Sequence, residues 1–262
     1  MRRRTLLAAG IAGGSAVAAG AGLWSGRSRP APVRAPAPAG VERLERVWSA
    51  ARGREVDLYT AVPHGHGDGR GLPVCLVLHG GSKRPPDFAA LGLGGFLTDA
   101  VRRGTPPFVL AGATGDRLAW QPSPADDPQR MAAEEIPAWC AARGFDPSRL
   151  AAWGWSMGGF GALLLAEARP GLLRAVAAFS PAVTPADPVF AGLTRLGDTP
   201  VGLWCGTGDP LYPQVRTLHD ALPTPPATGG YTLGRHNFTY WSTLLSSAFS
   251  FIGASLRPSP PA

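Results

Sequence analysis

The stretch LAAWGWSMGGFGALLLAEA (150–168) changes character halfway along. Leu150-Ala151-Ala152-Trp153 is a short apolar run of the kind a buried strand uses. Gly161 to Ala168 is rich in Ala and Leu and reads as a helix, stopped by Pro170. Between them Gly154-Trp155-Ser156-Met157-Gly158 matches G-x-S-x-G. A serine on so sharp a strand-to-helix turn needs strained backbone angles, and glycines must flank it where strand and helix nearly touch. The turn lifts the Ser156 hydroxyl out of the sheet. The helix behind it aims its first amides and its positive end at a reacting oxygen. Three fixed positions in five occur by chance; the strand before and the helix after make the match specific.

A serine hydroxyl is a weak nucleophile and needs a base, and the base needs an acid to orient it. In strand–turn–helix sites of this kind the three follow in the order Ser, acid, His. Two histidines remain after Ser156. His219 lies beside Asp220 in a helical run and reads as a helix-surface residue. His236 lies in Gly234-Arg235-His236-Asn237, a turn between the last short strand and the final helix, and is the expected base. Asp209 follows the apolar run Val201 to Cys205 through Gly206-Thr207-Gly208, and a loop just past a strand end is where the acid belongs. Asp198 precedes that strand, Asp187 lies in a Pro-rich loop and Asp220 in a helix. As an Asp-Pro turn residue Asp209 would have a purely local role. Two backbone donors must hold an oxyanion. The amide of Met157 is one; Gly81, in His79-Gly80-Gly81 after another apolar run, is the other, with Ser82 as the alternative. His79 itself is expected to support that loop.

Outward from this centre, apolar strands and helices alternate. Glu55–Val62 alternates polar and apolar residues like an edge or antiparallel strand. Pro73–His79, Pro107–Ala113, Arg149–Trp155, Leu173–Phe179 and Val201–Cys205 read as buried strands, with a short one at Tyr231–Leu233. Met131–Ala142, Ser156–Ala168, Leu211–Leu222 and Tyr240–Leu256 read as helices. This predicts an α/β fold: a mostly parallel central sheet with helices on both faces. Trp155, Phe160, Trp120, Tyr240 and Trp241 are candidates for an acyl pocket, though such aromatics are more often plain core.

The formal charge is +7 over 262 residues, but residues 1–40 hold six arginines and no acid. The remainder has 25 − 6 = 19 basic groups against 18 acidic ones, so the charge marks a leader and excludes a nucleic-acid-binding face. Arg2-Arg3-Arg4 followed by the Ala/Gly-rich apolar stretch to Trp24 has the layout of an export signal. Arg3-Arg4-Thr5-Leu6-Leu7 is of twin-arginine type. Residues 1–24 are thus expected to be a signal peptide or a membrane anchor. Residues 25–40 read as a Pro/Ala-rich linker, 41–256 as the folded domain and 257–262 as a disordered tail. Cys75, Cys140 and Cys205 match no metal spacing and read as buried thiols, with one disulfide open to an exported protein. His64 and His66, in a Gly-rich turn, are a weak metal signal; neither a metal nor another cofactor is expected.

These residues resemble the esterase D family of α/β-hydrolases, which includes S-formylglutathione hydrolases and is related to secreted actinobacterial mycolyltransferases. The matching pieces are Leu76-Val77-Leu78-His79-Gly80-Gly81, Asp146-Pro147-Ser148-Arg149-Leu150, Gly154 to Gly161, Gly206-Thr207-Gly208-Asp209 and Arg235-His236-Asn237-Phe238-Thr239-Tyr240-Trp241. The resemblance implies the α/β-hydrolase fold with little or no cap domain, a Ser156–Asp209–His236 triad, no cofactor and hydrolysis of acyl esters. The expected substrate is a small-molecule or lipid ester. The expected location is exported, with the N-terminal segment able to hold the protein at a membrane or cell envelope. An acyltransferase acting on cell-envelope lipids or sugars is the second reading. A catalytically silent binding protein is the third.

Overall fold

A computed structural model of the chain describes residues 37–116 and 119–258. The expected signal or anchor segment, most of the linker and the last four residues of the tail lie outside them. Eight strands form one sheet: β1 (Glu42–Ser49), β2 (Arg54–Ala61), β3 (Pro73–Leu78), β4 (Val109–Ala113), β5 (Asp146–Trp155), β6 (Leu173–Phe179), β7 (Val201–Gly206) and β8 (Thr228–Thr232). Their spatial order is β1-β2-β4-β3-β5-β6-β7-β8. The β1–β2 and β2–β4 pairs are antiparallel and the others parallel. This is the α/β-hydrolase fold.

The central strands are apolar throughout because both faces are covered. Along β3, Val74, Leu76 and Leu78 enter one core while Cys75 and Val77 enter the other, as the period of two requires. The first core is closed by the π turn Met131–Glu135 that continues α2 (Pro128–Arg130), and by α3 (Ile136–Ala142), α4 (Met157–Ala168), α5 (Pro188–Gly192) and α6 (Tyr212–Ala221). The second is closed by α1 (Leu93–Arg102) and α7 (Phe238–Ser255), where Trp153 on the sheet meets Phe179 and the α7 residue Phe249 edge to face and lies tilted against Trp155. The connection from β6 to β7 holds only α5 and a single 3-10 turn (Leu193–Leu196), so little cap stands over the sheet. None of the described helices is long and apolar enough to cross a membrane. All three cysteines are buried and unbridged.

Several element bounds differ from the sequence reading, each for a physical reason. The helix expected from Met131 starts at Pro128, where the Asp127 side chain accepts from the Arg130 amide at 2.8 Å, and it runs through a π turn at Met131–Glu135. The last strand is Thr228–Thr232, not Tyr231–Leu233. It includes Gly229, at φ +137, whose Cβ would collide with the Leu203 backbone on β7. The final helix starts at Phe238, two residues early, because the Asn237 side chain caps it by accepting the Tyr240 amide at 3.0 Å. β1 and α1 have no counterpart in the sequence reading.

The turn between β1 and β2 carries Arg52, whose side chain is fully buried. It pairs with Asp126 and Asp116 and donates to the Thr114 carbonyl, while Arg54 joins the same two carboxylates. The cluster ties the edge of the sheet to the loop that follows β4.

Candidate active site

The parallel strands β3, β5, β7 and β8 end on one edge at Leu78, Trp155, Gly206 and Thr232, and Gly81, Ser156, Asp209 and His236 each follow one of these ends. Ser156 sits between β5 and α4 with φ +55 and ψ −123, a strained conformation for a residue with a side chain. Its amide donates to the Phe179 carbonyl at 2.8 Å and its carbonyl accepts from the Ala182 amide at 3.0 Å, which hold the turn from both sides. The two flanking glycines are steric requirements. A Cβ on Gly154 would overlap the Gly158 carbonyl, and one on Gly158 would overlap the Leu78 carbonyl.

His236, between β8 and α7, bridges the other two residues. Its Nε2 lies 2.8 Å from Ser156 Oγ and its Nδ1 lies 2.8 Å from Asp209 Oδ2. The Asp209 side chain is fully buried and that of His236 is 27% exposed, so the acid is dry and the base meets the groove. Burial pushes the Asp209 carboxyl up, but hydrogen bonds from His236, from the Leu211 amide (2.9 Å) and from Ser180 outweigh it. Its pKa therefore lies below the ordinary carboxylate value. The ring of Trp241 stands edge-on to His236, centroids 4.8 Å apart, and its Nε1 donates to Ser180 Oγ at 3.0 Å. Ser180 follows the end of β6 on the same edge. Only the strand-end rule, applied to every strand, would have drawn attention to it.

The loop after β3 is built around His79, which is buried. Its Nε2 accepts from the Gly115 amide at 2.9 Å, so Nδ1 carries the proton and donates to the Gly80 carbonyl at 2.8 Å. Burial lowers its pKa and keeps the ring neutral. The Gly80–Gly81 peptide is trans, so its N–H points opposite to its anchored carbonyl, away from His79. Met157 is the first residue of α4, where an amide has no partner inside the helix.

A groove runs over Ser156 and His236, lined by Gly80, Gly81, Ser82, Lys83, Trp155, Asn237, Phe238 and Trp241. Of the five candidate pocket residues, Trp155 and Trp241 line it. Trp120, Phe160 and Tyr240 are not among its walls. Trp120 is completely buried, packs against Gly161 and donates to the His79 carbonyl at 3.1 Å. Phe160 lies in the core under α4. Tyr240 packs on Gly234 and hydrogen-bonds Thr232 at 2.9 Å. Spacing alone does not tell an aromatic at a strand end from one turned beneath it. Of the other candidates for base and acid, His219 meets the Tyr231 hydroxyl at 2.8 Å, Asp220 pairs with Arg216 and Asp187 caps its own turn.

A partly buried serine on a strained turn, a histidine bonded to its hydroxyl and a buried carboxylate behind that histidine define a hydrolase of the nucleophilic-serine class. The sequence profile of the family described as "Putative esterase" matches residues 49–221, more than half of the chain, so the chain belongs to that family. It is an enzyme, a serine hydrolase acting on ester bonds. No curated protein matches it in sequence. Among solved structures it is similar to a ferulic acid esterase (TM-score 0.70, 17% identity, 84% of this chain and 100% of that one covered). It is also similar to the fluorophosphonate-binding serine hydrolase F of Staphylococcus aureus (0.68, 15%, 82% and 99%). A third likeness is to an S-formylglutathione hydrolase of Agrobacterium tumefaciens (0.65, 18%, 84% and 96%). At these identities the likeness is one of fold.

Proposed function

We propose that the protein is an exported carboxylesterase that works through a Ser156–His236–Asp209 triad and an acyl-enzyme. The observation that carries this is His236, whose two ring nitrogens each lie 2.8 Å from one of the other two groups. His236 Nε2 takes the Ser156 proton as Oγ attacks the ester carbonyl carbon. Asp209, ionised and dry, stabilises the imidazolium that forms. The amides of Met157 and Gly81 hold the oxyanion, and the His79 clamp on the Gly80 carbonyl keeps the second donor aimed. The tetrahedral intermediate collapses, His236 gives its proton to the departing alcohol oxygen, and the acyl group remains on Oγ. Water then repeats the sequence, with its proton passing to His236, and the acid leaves.

The substrate is a small-molecule or lipid ester. It would enter the groove over Ser156 and His236, and the triad chemistry needs no cofactor and no nucleic acid. Export rests on Arg2-Arg3-Arg4 and the apolar stretch behind them, which would place the enzyme outside the cytoplasm or at the cell envelope. Product analysis on a series of p-nitrophenyl esters, with and without an added alcohol, tests the activity. Free acid as the main product, abolished in Ser156→Ala, is the expected result. Acyl transfer to the alcohol in preference to water would make the enzyme an acyltransferase. No turnover of any ester would leave a binding protein and sink the proposal.

A further inference from the structure

The chain contains a single lysine, Lys83, against 24 arginines, and that lysine lines the groove over Ser156 and His236. It lies two residues beyond Gly81, on the loop that His79 anchors, and is half-buried. None of the described residues lining the groove is acidic. Among the described residues the nearby carboxylates are engaged elsewhere. Asp87 accepts from the Arg84 amide at 2.9 Å, Asp116 is held by Arg52 and Arg54, and Asp209 is held by His236. Arg84 and Arg235, the chain neighbours of Lys83 and His236, are both exposed.

A half-buried ammonium on a groove whose described walls hold no carboxylate has no protein counter-ion there and can pair with an anion that enters. We infer that Lys83 is a specificity-determining residue that binds a negatively charged group on the substrate, so that the preferred esters carry a carboxylate or similar anion close to the scissile bond. The inference rests on the esterase reading above and narrows it to one substrate class. An ammonium is a flexible point charge. It recognises the charge of the partner more than its shape, whether that charge sits in the acyl half or in the alcohol half. The two exposed guanidiniums raise the local concentration of anionic esters, an effect that salt screens.

The test compares matched esters. Monoethyl adipate against ethyl hexanoate places the charge in the acyl half; 3-acetoxybenzoate against 3-acetoxybenzamide places it in the alcohol half. The readout is the ratio of kcat/KM for the anionic ester to that for its neutral partner, so that any general loss in a variant cancels. In at least one pair the wild-type ratio exceeds that of Lys83→Met by about tenfold, as one partly exposed charge-assisted contact implies. Lys83→Arg retains most of the preference, Lys83→Glu inverts it, and raising the salt concentration erodes it. Fluorophosphonate labelling of each variant verifies that the fold and Ser156 survive. A ratio unchanged by Lys83→Met and Lys83→Glu in both pairs overturns the inference and leaves the esterase reading standing. Failure to hydrolyse even the neutral esters, or hydrolysis that persists in Ser156→Ala, brings down the esterase reading and the inference with it.

Discussion

Gly158→Ala puts a methyl group where the helix of the nucleophile passes the end of β3. The added Cβ would lie 2.7 Å from the His79 carbonyl oxygen and nearer still to that of Leu78, both backbone atoms that cannot rotate away. Ordinary contact begins at about 3.4 Å, so relieving the His79 contact alone takes roughly 0.7 Å, and the tighter Leu78 contact makes α4 and the end of β3 separate by more than about 1 Å. Overpacking of this severity costs about 3 kcal/mol. In a domain of this size that lowers Tm by about 6–12 °C. The separation also moves the Met157 amide away from the loop bearing Gly81, which follows Leu78 and His79 directly. A displacement near 1 Å in a reacting geometry costs about a hundredfold. Calorimetry and the kcat for p-nitrophenyl butyrate read the two effects. Gly81→Ala is the control for stability, since a Cβ there meets nothing within 4 Å and leaves Tm within about 1 °C. The steric account fails if Gly158→Ala melts within about 2 °C of the wild type and keeps kcat within about threefold.

Two further changes read other parts of the account. Asp209→Asn keeps the shape but replaces the acceptor for the His236 Nδ1 proton. It lowers kcat by about 10³–10⁴-fold with little change in far-UV circular dichroism, and a loss under tenfold would remove Asp209 from the mechanism. Glu167 on α4 is buried, neither of its carboxylate oxygens has a hydrogen-bond partner, and Arg195 stands 4.0 Å away. Burial pushes its carboxyl up to about 8 from an ordinary 4.5, against the opposing pull of Arg195. The folded chain thus holds that proton more tightly than the unfolded one. Its stabilising effect is complete below pH 4.5 and declines as pH rises toward 8, by up to about 4 kcal/mol. Glu167→Gln flattens this decline and melts above the wild type at pH 8.5; parallel Tm curves for the two proteins would contradict it.

What the sequence disclosed was whatever depended on local chemistry. The elbow is readable because its two glycines, its strand and its helix are contiguous. His236 and Asp209 are readable because each follows a strand end, and the structure brings both to Ser156. β1 stayed hidden because an edge strand carries charge: Glu42, Arg43, Glu45 and Arg46 interrupt the apolar pattern, while Leu44 and Trp48 face outward at 50% and 63% exposure. α1 stayed hidden because Gly94 and Gly95 weaken its intrinsic preference, and it is packing of Leu93, Leu97 and Ala100 in the second core that holds it. Trp120, Phe160 and Tyr240 cannot be assigned to groove or core from sequence, because an aromatic's side of the sheet is a tertiary fact. Ser180 is marked only by its strand end and Lys83 by no motif at all, and it is the folded loops that set the first beside Asp209 and Trp241 and the second in the groove.

The account depends most on Ser156 being an activated nucleophile. Incubation of the protein with a fluorophosphonate probe, followed by intact mass and peptide mapping, measures that directly. One adduct on the peptide containing Ser156, absent in Ser156→Ala and formed far more slowly in His236→Ala, is the predicted result. An adduct on another residue, or equal labelling of wild type and Ser156→Ala, would contradict it.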